Sequence, residues 1–359
     1  MTPLVSATID TVALAHNLQA IRGRAPHSRV MAVIKANAYG HGLVTVARAL
    51  AGADALAVAR VDEGLALRAA GIEQRTVLLE GVFDEVQLAA AAAACFELVV
   101  HAPEQIELLR RAAPARPFRI WLKLDTGMNR LGFKGGAFAA ALDALQKLPS
   151  VEKPINFFTH LASADDPDQP TTAQQLERFA AATGSLPGER SIANSAGLLS
   201  FPAAQVDWVR PGLLLYGVSP FAGTIGADYG LTPVMTLRSH IIAVKEVAIG
   251  ERVGYGGTWT AQRPTRLAVA AVGYGDGFPR GVGSGTPVLV NGERAPLAGR
   301  VSMDMIGIDV TDLSRPARPG DPVTLWGEGL PVEEVAVWAN TIPYELLCGI
   351  SQRVAVSLR

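Results

Sequence analysis

Cysteine is nearly absent: only Cys95 and Cys348 occur in 359 residues. Two thiols so far apart cannot form a disulfide framework. Neither lies in a Cys-x-x-Cys or Cys/His cluster, so no structural zinc site, and no metal site of any kind, is expected. An excess of charge of either sign is lacking as well. Lys+Arg number 32 against 33 Asp+Glu, for a formal net charge of −1, and no long basic run occurs. Nucleic acid is therefore not an expected partner. Long hydrophobic runs are missing too. The most apolar stretch, 88–96, is alanine-rich and bounded by acids, far short of the roughly 20 residues a membrane-spanning helix needs. The first ten residues lack the charged start and apolar core of a signal peptide. Together with the scarce cysteine, this predicts a cytoplasmic protein with no membrane association. No internal repeat is present.

What is present is material for a large core. Hydrophobic residues make up 49% and charged residues 18% of the chain, a globular composition. The length predicts two domains, or one barrel with an addition. Short β-branched runs at 30–34, 55–59, 76–79, 97–100, 118–124, 155–159, 191–193 and 206–209 alternate with helical patterns such as 43–51, 61–70, 85–94 and 103–111. Pro103 suits a first helical position, where its missing N–H costs little. An opening helix capped by Asp10 is expected to run to about Arg22. Eight strands, each paired with a helix, predict an α/β fold, a TIM-like (β/α)8 barrel over residues 1–232. After Leu231-Thr232-Pro233 the rhythm changes. Runs at 237–247, 265–272, 287–290, 305–310 and 322–326 are separated by Gly, Pro and Asn turns, with little helix until 332–339. A mainly β domain over 233–359 is expected.

The segment Ala32-Val33-Ile34-Lys35-Ala36-Asn37-Ala38-Tyr39-Gly40-His41-Gly42 puts a lysine at the C-terminal end of the first barrel strand, where barrel enzymes carry catalytic groups. An amine in a partly desolvated pocket loses its proton more easily, which suits a Schiff-base lysine. A surface lysine at a strand end explains the same spacing.

That segment resembles the cofactor-lysine signature of the alanine racemases, a fold-type III pyridoxal-phosphate family. Further motifs match in the family's order over nearly the whole chain: Lys123-Leu-Asp-Thr-Gly-Met-Asn-Arg130-Leu-Gly, Thr159-His160, Asn194-Ser195-Ala196, Arg210-Pro-Gly-Leu-Leu-Leu-Tyr216-Gly, Gly254-Tyr255-Gly, Gly273-Tyr274-Gly-Asp-Gly, Gly299-Arg-Val-Ser-Met303-Asp304 and Pro343-Tyr344-Glu. Several short matches in one order are more specific than any one of them.

The resemblance implies pyridoxal 5'-phosphate as cofactor and L- and D-alanine as substrates. It makes Lys35 the cofactor lysine and the base for D-alanine, with Tyr255 the base for L-alanine. Because the family's second domain lends its tyrosine to the partner subunit, a homodimer with shared active sites is implied. Tyr39, Ser195 and Tyr344 would hold the phosphate, with Asn194 and the backbone around Gly212 and Leu213. His160 would lie beside the pyridine ring. Arg210 would face the ring nitrogen, and since an arginine keeps its protons, that nitrogen would accept a hydrogen bond and the electron sink would be weakened. Arg130 and the Met303 N–H would meet the substrate carboxylate, and Tyr274 would narrow the access route. A tyrosine, with an ordinary pKa near 10, needs help to act as a base near neutrality. Lys123 matches a position that is N-carboxylated in many relatives, which would replace repulsion from Arg130 with hydrogen bonding. Ser302 departs from the cysteine common among relatives. Family members supply D-alanine for peptidoglycan or serve alanine catabolism.

Taken singly, these residues have ordinary explanations. Ser195 could be a helix N-cap, Arg210 a salt-bridge partner, His160 a structural histidine, Tyr39 and Tyr344 packing residues, and Tyr255 and Tyr274 turn-flanking aromatics. The alternatives in function are a racemase of broader specificity, for example toward serine, a decarboxylase of the same fold, or a non-catalytic pyridoxal-phosphate carrier built from the barrel half alone.

Overall fold

The computed structural model describes residues 3–359. Asp10 accepts a hydrogen bond from the Ala13 N–H and caps the helix Thr11–Arg24, as its side chain predicts. From there the chain enters a closed barrel of eight strands: Arg29–Val33, Ala55–Val58, Thr76–Leu78, Glu97–Val100, Ile120–Lys123, Asn156–Phe158, Arg190–Ser191 and Trp208–Val209. Every neighbouring pair is parallel, and the last strand closes on the first through Arg29↔Trp208 and Val30↔Val209. Four-residue strands such as Ala55–Val58 and Glu97–Val100 are buried throughout. That is the pattern of parallel strands covered on both faces, and it explains why continuous rather than alternating apolar runs marked them. Each predicted strand end lies within two residues of the observed one, and the fifth to eighth strands are shorter than expected. The helix Pro103–Arg111 has the predicted bounds, with Pro103 in its first turn.

The second sheet is mainly antiparallel. Its longest strand, Met235–Val247, pairs with Pro322–Trp326 through its first half and with Thr265–Ala270 through its second, and the latter pairs with Ile306–Asp309. Pro287–Val290 and Glu293–Pro296 extend the sheet beyond Pro322–Trp326. The sheet also includes Ser6–Ile9, which pairs antiparallel with Met235–Val247 and parallel with Ala355–Leu358. These first residues fall on the barrel side of a boundary at 232, yet they join the β domain's sheet.

The two parts share one continuous apolar core and a polar clasp. The carboxylate of Glu333, on the helix Val332–Trp338, accepts the N–H groups of Ser219 and Gly226, each at 2.9 Å. Burial raises the pKa of Glu333, while these two donors pull it down. Among the described residues, no helix is long and apolar enough to cross a membrane.

Candidate active site

Just past the first barrel strand the chain adopts a conformation its composition disfavours. Ala36, Asn37, Ala38 and Tyr39 all have positive φ, between 52 and 54°. This is a full turn of left-handed helix, and non-glycine residues there cost roughly 1–2 kcal/mol each. Specific contacts offset the strain. The Ala38 N–H donates to the Ile34 carbonyl (2.9 Å) and the Gly42 N–H to that of Asn37 (3.0 Å). The Asn37 amide oxygen accepts from the Leu43 N–H, and the Glu63 carboxylate accepts from the Ala36 N–H. Gly40 leaves the turn at φ 81°, and a Cβ there would lie 2.1 Å from the Leu347 carbonyl oxygen. The turn therefore sits directly against the helix Pro343–Cys348 of the second domain, which carries Tyr344.

That arrangement brings residues of distant sequence around a cavity of about 550 Å³ at the C-terminal end of the barrel. Lys35, Tyr39, Lys123, Arg130, His160, Asn194, Ser195, Arg210, Gly212 and Tyr344 all line it. Leu213, also expected at the site, is buried and outside the lining. One side forms a small cradle. The Ser195 hydroxyl accepts the N–H of Gly212 at 3.0 Å and that of Leu214 at 3.4 Å, and a Cβ on Gly212 would come 2.5 Å from the Tyr39 hydroxyl. Only glycine leaves that space open. The rings of Tyr39 and Tyr344 lie 5.7 Å apart. Burial raises both phenols' pKa values, that of Tyr344 to about 12 with help from Asp165, so both remain hydrogen-bond donors near neutrality. Ser195 is not the helix N-cap. Asn194 holds that position, accepting the Gly197 N–H at 2.9 Å, and Ser195 begins the helix Ser195–Ser200.

The opposite side is cationic. Arg210, almost fully buried, donates to the Ser191 hydroxyl (2.7 Å) and to the carbonyls of Thr159 (2.6 Å) and Ile192 (3.1 Å). Its guanidinium lies 3.8 Å from the centre of the Phe158 ring, a cation–π contact strengthened by desolvation. No carboxylate among the described residues makes an ion pair with it, so it is not the salt-bridge arginine the isolated motif would allow. Burial lowers its pKa to about 9, which leaves it protonated at neutral pH. Nη2 of Arg210 approaches Nδ1 of His160 at 3.4 Å. A guanidinium can only donate, so Nδ1 accepts and the imidazole proton sits on Nε2. Burial, then the charges of Arg210, Lys123, Arg130 and Lys35, hold His160 well below its usual pKa and keep it neutral. Lys123 is also buried. Desolvation, then Arg210 and Arg130, lower its amine to about 8.

Lys35, Lys123, Arg130 and Arg210 thus surround one cavity without an ion pair within 4 Å among the described residues. Glu80 is the only carboxylate in the lining. Such a pocket suits an anionic ligand, and the cradle beside Tyr39 and Gly212 suits a phosphate group. Tyr255, Tyr274 and Met303 do not belong to it. They stand on turns of the second domain, 69%, 41% and 52% exposed respectively.

Several residues that shape the cavity carried no signal in the sequence. Phe158 and Ser191 lie inside β-runs, where an apolar or small residue is unremarkable, and they meet Arg210 only because the barrel closes. Ile342 and Cys348 reach the lining only because their helix docks on the left-handed turn.

Both halves of the chain match known families. The alanine racemase N-terminal domain matches residues 9–220 and the alanine racemase C-terminal domain matches 234–358. The chain belongs to the alanine racemase family. Alanine racemases from Aeromonas hydrophila and Shewanella sediminis are 51% and 50% identical to it over 352 and 362 residues, covering 97% of each chain in the first comparison and 100% of each in the second. Among solved structures, the biosynthetic alanine racemase of Pseudomonas aeruginosa superposes with a TM-score of 0.96 at 46% identity, and that of Acinetobacter baumannii with 0.94 at 39%, each over the full length of both chains. An isomerase follows, and alanine racemase family members use pyridoxal 5'-phosphate. The match to the second domain sets aside a carrier built from the barrel half alone.

Proposed function

We propose that the cavity holds pyridoxal 5'-phosphate and that the enzyme interconverts L- and D-alanine with two bases, Lys35 and Tyr255 of the partner subunit, in a homodimer. One observation carries this reading: Lys35 enters a cationic cavity beside a small hydrogen-bonding cradle, while Tyr255 stands exposed outside it. A Tyr255 that acts in this cavity would have to come from a second copy. In this reading residues 1–232 form the cofactor-binding unit, and 233–359 reach into the partner's site.

The cofactor, when bound, supplies the electron sink that makes a substrate Cα proton removable. Lys35 would anchor it, with Tyr39, Ser195, Tyr344 and the backbone of Gly212 and Leu213 around the phosphate. Asn194 would contribute by fixing the start of the helix that presents Ser195. Arg210, held rigidly by three oxygen acceptors, would donate to the ring nitrogen, and His160 would lie beside the ring. Arg130, with the Met303 N–H and the Tyr274 ring from the partner subunit, would hold the substrate carboxylate and narrow the access route. Lys35 takes the Cα proton from D-alanine and Tyr255 returns one to the opposite face; for L-alanine the roles reverse.

Lys123 is proposed to be carboxylated. With its amine lowered to about 8, an appreciable fraction is neutral near physiological pH and can attack CO2. A nitrogen–carbon bond forms, the nitrogen releases a proton to water, and the resulting anion accepts hydrogen bonds from Arg130. Native mass spectrometry should show one added CO2, lost on acidification. A bare amine in bicarbonate-equilibrated protein rules the modification out. The likeness to the biosynthetic enzyme of Pseudomonas aeruginosa supports a role in supplying D-alanine for peptidoglycan.

The test combines chemistry with subunit exchange. L-Alanine incubated with the protein in deuterated water should yield D-alanine carrying deuterium at Cα. Mixed Lys35→Ala and Tyr255→Phe chains should regain part of the activity that neither has alone. A mixture whose subunits exchange yet stays inactive rejects the shared site.

A further inference from the structure

His41 belongs to the lysine motif but is not in the cavity lining. It is completely buried, and its Nδ1 lies 2.8 Å from the carbonyl oxygen of Tyr39 and 3.1 Å from that of Ala38. Carbonyls only accept, so the proton must be on Nδ1. Its Nε2 is buried with no protein hydrogen-bond partner among the described residues. A second proton there would be a desolvated, unpaired charge, and burial lowers the imidazole to about 4. The ring is therefore neutral and held in one tautomer.

Its position explains what that tautomer does. The two carbonyls belong to the last residues of the left-handed turn, Ala38 and Tyr39. The imidazole also packs 4.5 Å from the Tyr216 ring, which lies 4.8 Å from the Tyr39 ring. Tyr216 is itself fixed, its hydroxyl donating to the Val33 carbonyl. His41 thus bonds to the backbone that carries Tyr39, while Tyr216 supports the Tyr39 ring from behind. The Tyr39 hydroxyl is aimed at the open space over Gly212.

We propose that His41 is a positioning residue for the cofactor phosphate: its Nδ1–H locks the left-handed turn so that the Tyr39 hydroxyl stays in the cradle beside Gly212. This rests on the reading of that cradle as the phosphate site. His41 touches neither cofactor nor substrate; it acts through Tyr39.

The role predicts a defect specific to phosphate. Full-length protein stripped of cofactor is titrated with pyridoxal 5'-phosphate and, separately, with pyridoxal, which lacks the phosphate. His41→Phe keeps a ring against Tyr216 but has no donor, and His41→Asn places an amide N–H near the Nδ1 position. The Phe variant should bind the phosphorylated ligand about tenfold more weakly, the scale of one hydrogen bond, and pyridoxal within about twofold of wild type. The Asn variant should recover most of the loss. A Phe variant with wild-type affinity for both ligands, or one that loses both equally, overturns the proposal. A wild-type protein that binds the two ligands equally well refutes the phosphate cradle itself, a separate failure. Nitrogen NMR of the histidine-labelled wild-type holoenzyme reads the tautomer without any variant. A neutral Nδ1–H ring is expected, and an Nε2–H ring or an imidazolium at His41 overturns the proposal even if the Phe variant does not fold.

Discussion

At the N-terminal end of the barrel, Glu97 accepts hydrogen bonds from Arg75, from Arg119 and from the Trp121 indole, and Arg119 continues to Glu152. Arg29 pairs with Glu189, which also accepts from Trp208, and both Arg29 and Arg75 lie over the Trp208 ring at 4.4 and 4.5 Å. At the C-terminal end, Lys35, Lys123, Arg130 and Arg210 face a cavity with no ion pair to any described carboxylate. The same residue types do opposite work. The floor's charges satisfy one another and close the barrel, whereas the mouth's charges stay without an ion pair among the described residues. An unpaired buried cation costs stability in the free protein, and that cost is recovered when an anion binds only the folded state. In the proposed reading, function at the mouth is supported by pairing at the floor, the division of labour expected of this barrel.

The sharpest contrast comes from Lys35→Ala. Racemisation should fall by about 10³-fold or more, the scale of losing a positioned base, with little change in the urea midpoint. A large loss of stability would place Lys35 with the floor residues. Glu97→Ala should do the reverse. Removing the carboxylate leaves the Trp121 indole without its acceptor and Arg75 with Glu189 alone, at 3.8 Å, and should destabilise the fold by about 3 kcal/mol, while the turnover of folded enzyme is kept. Chemical denaturation alongside an active-site titration separates the two effects.

Lys123→Met tests the cost of an unpaired cation directly. The folded pKa of Lys123, about 8, lies below its ordinary 10.5, so the unfolded chain binds more protons between those values. Wild-type stability therefore rises with pH across this window, and the penalty is fully present below it. In CO2-free buffer the Met variant should be more stable than wild type by roughly 3 kcal/mol at pH 7. The advantage should fade as pH approaches 10.5. Bicarbonate should shrink it at pH 7 if Lys123 carboxylates; a pH-independent difference would mean that the charge is not what costs stability. The smallest effect is expected for Asn194→Ala. Loss of the cap on Ser195–Ser200 should cost about 1 kcal/mol, and, because the helix presents Ser195, should weaken pyridoxal 5'-phosphate binding more than it slows turnover. An unchanged thermal midpoint would show that the cap contributes nothing.

Much of this molecule is legible in its sequence. Continuous apolar runs marked the barrel strands because buried parallel strands need no polar face, and Asp10 marked the opening helix through its cap. The strand Ser6–Ile9 was not legible. Four residues carry little periodic signal, and their partners, Met235–Val247 and Ala355–Leu358, lie more than two hundred positions away. At the site, Lys35, Arg130, Ser195 and Arg210 stood out by motif. Phe158 beneath Arg210, the left-handed turn at Ala36–Tyr39 and the support from His41 and Tyr216 did not, since in Ala-Asn-Ala-Tyr only Asn37 tolerates positive φ readily and one asparagine does not mark a whole left-handed turn.

The order of amino acids by itself determined the β/α rhythm, the change to a mainly β second domain and the family to which the chain belongs. These follow from local periodicity, turn residues and short motifs, all written within a few positions of one another. Tertiary structure alone decided which charges are paired. Arg29 finds Glu189 across 160 positions, and Lys123 and Arg210 line one cavity without an ion pair to any described carboxylate, because closing a barrel sets neighbours by strand order rather than by distance along the chain. Electrostatic energy depends on separation and desolvation in space, and neither exists until the barrel has closed.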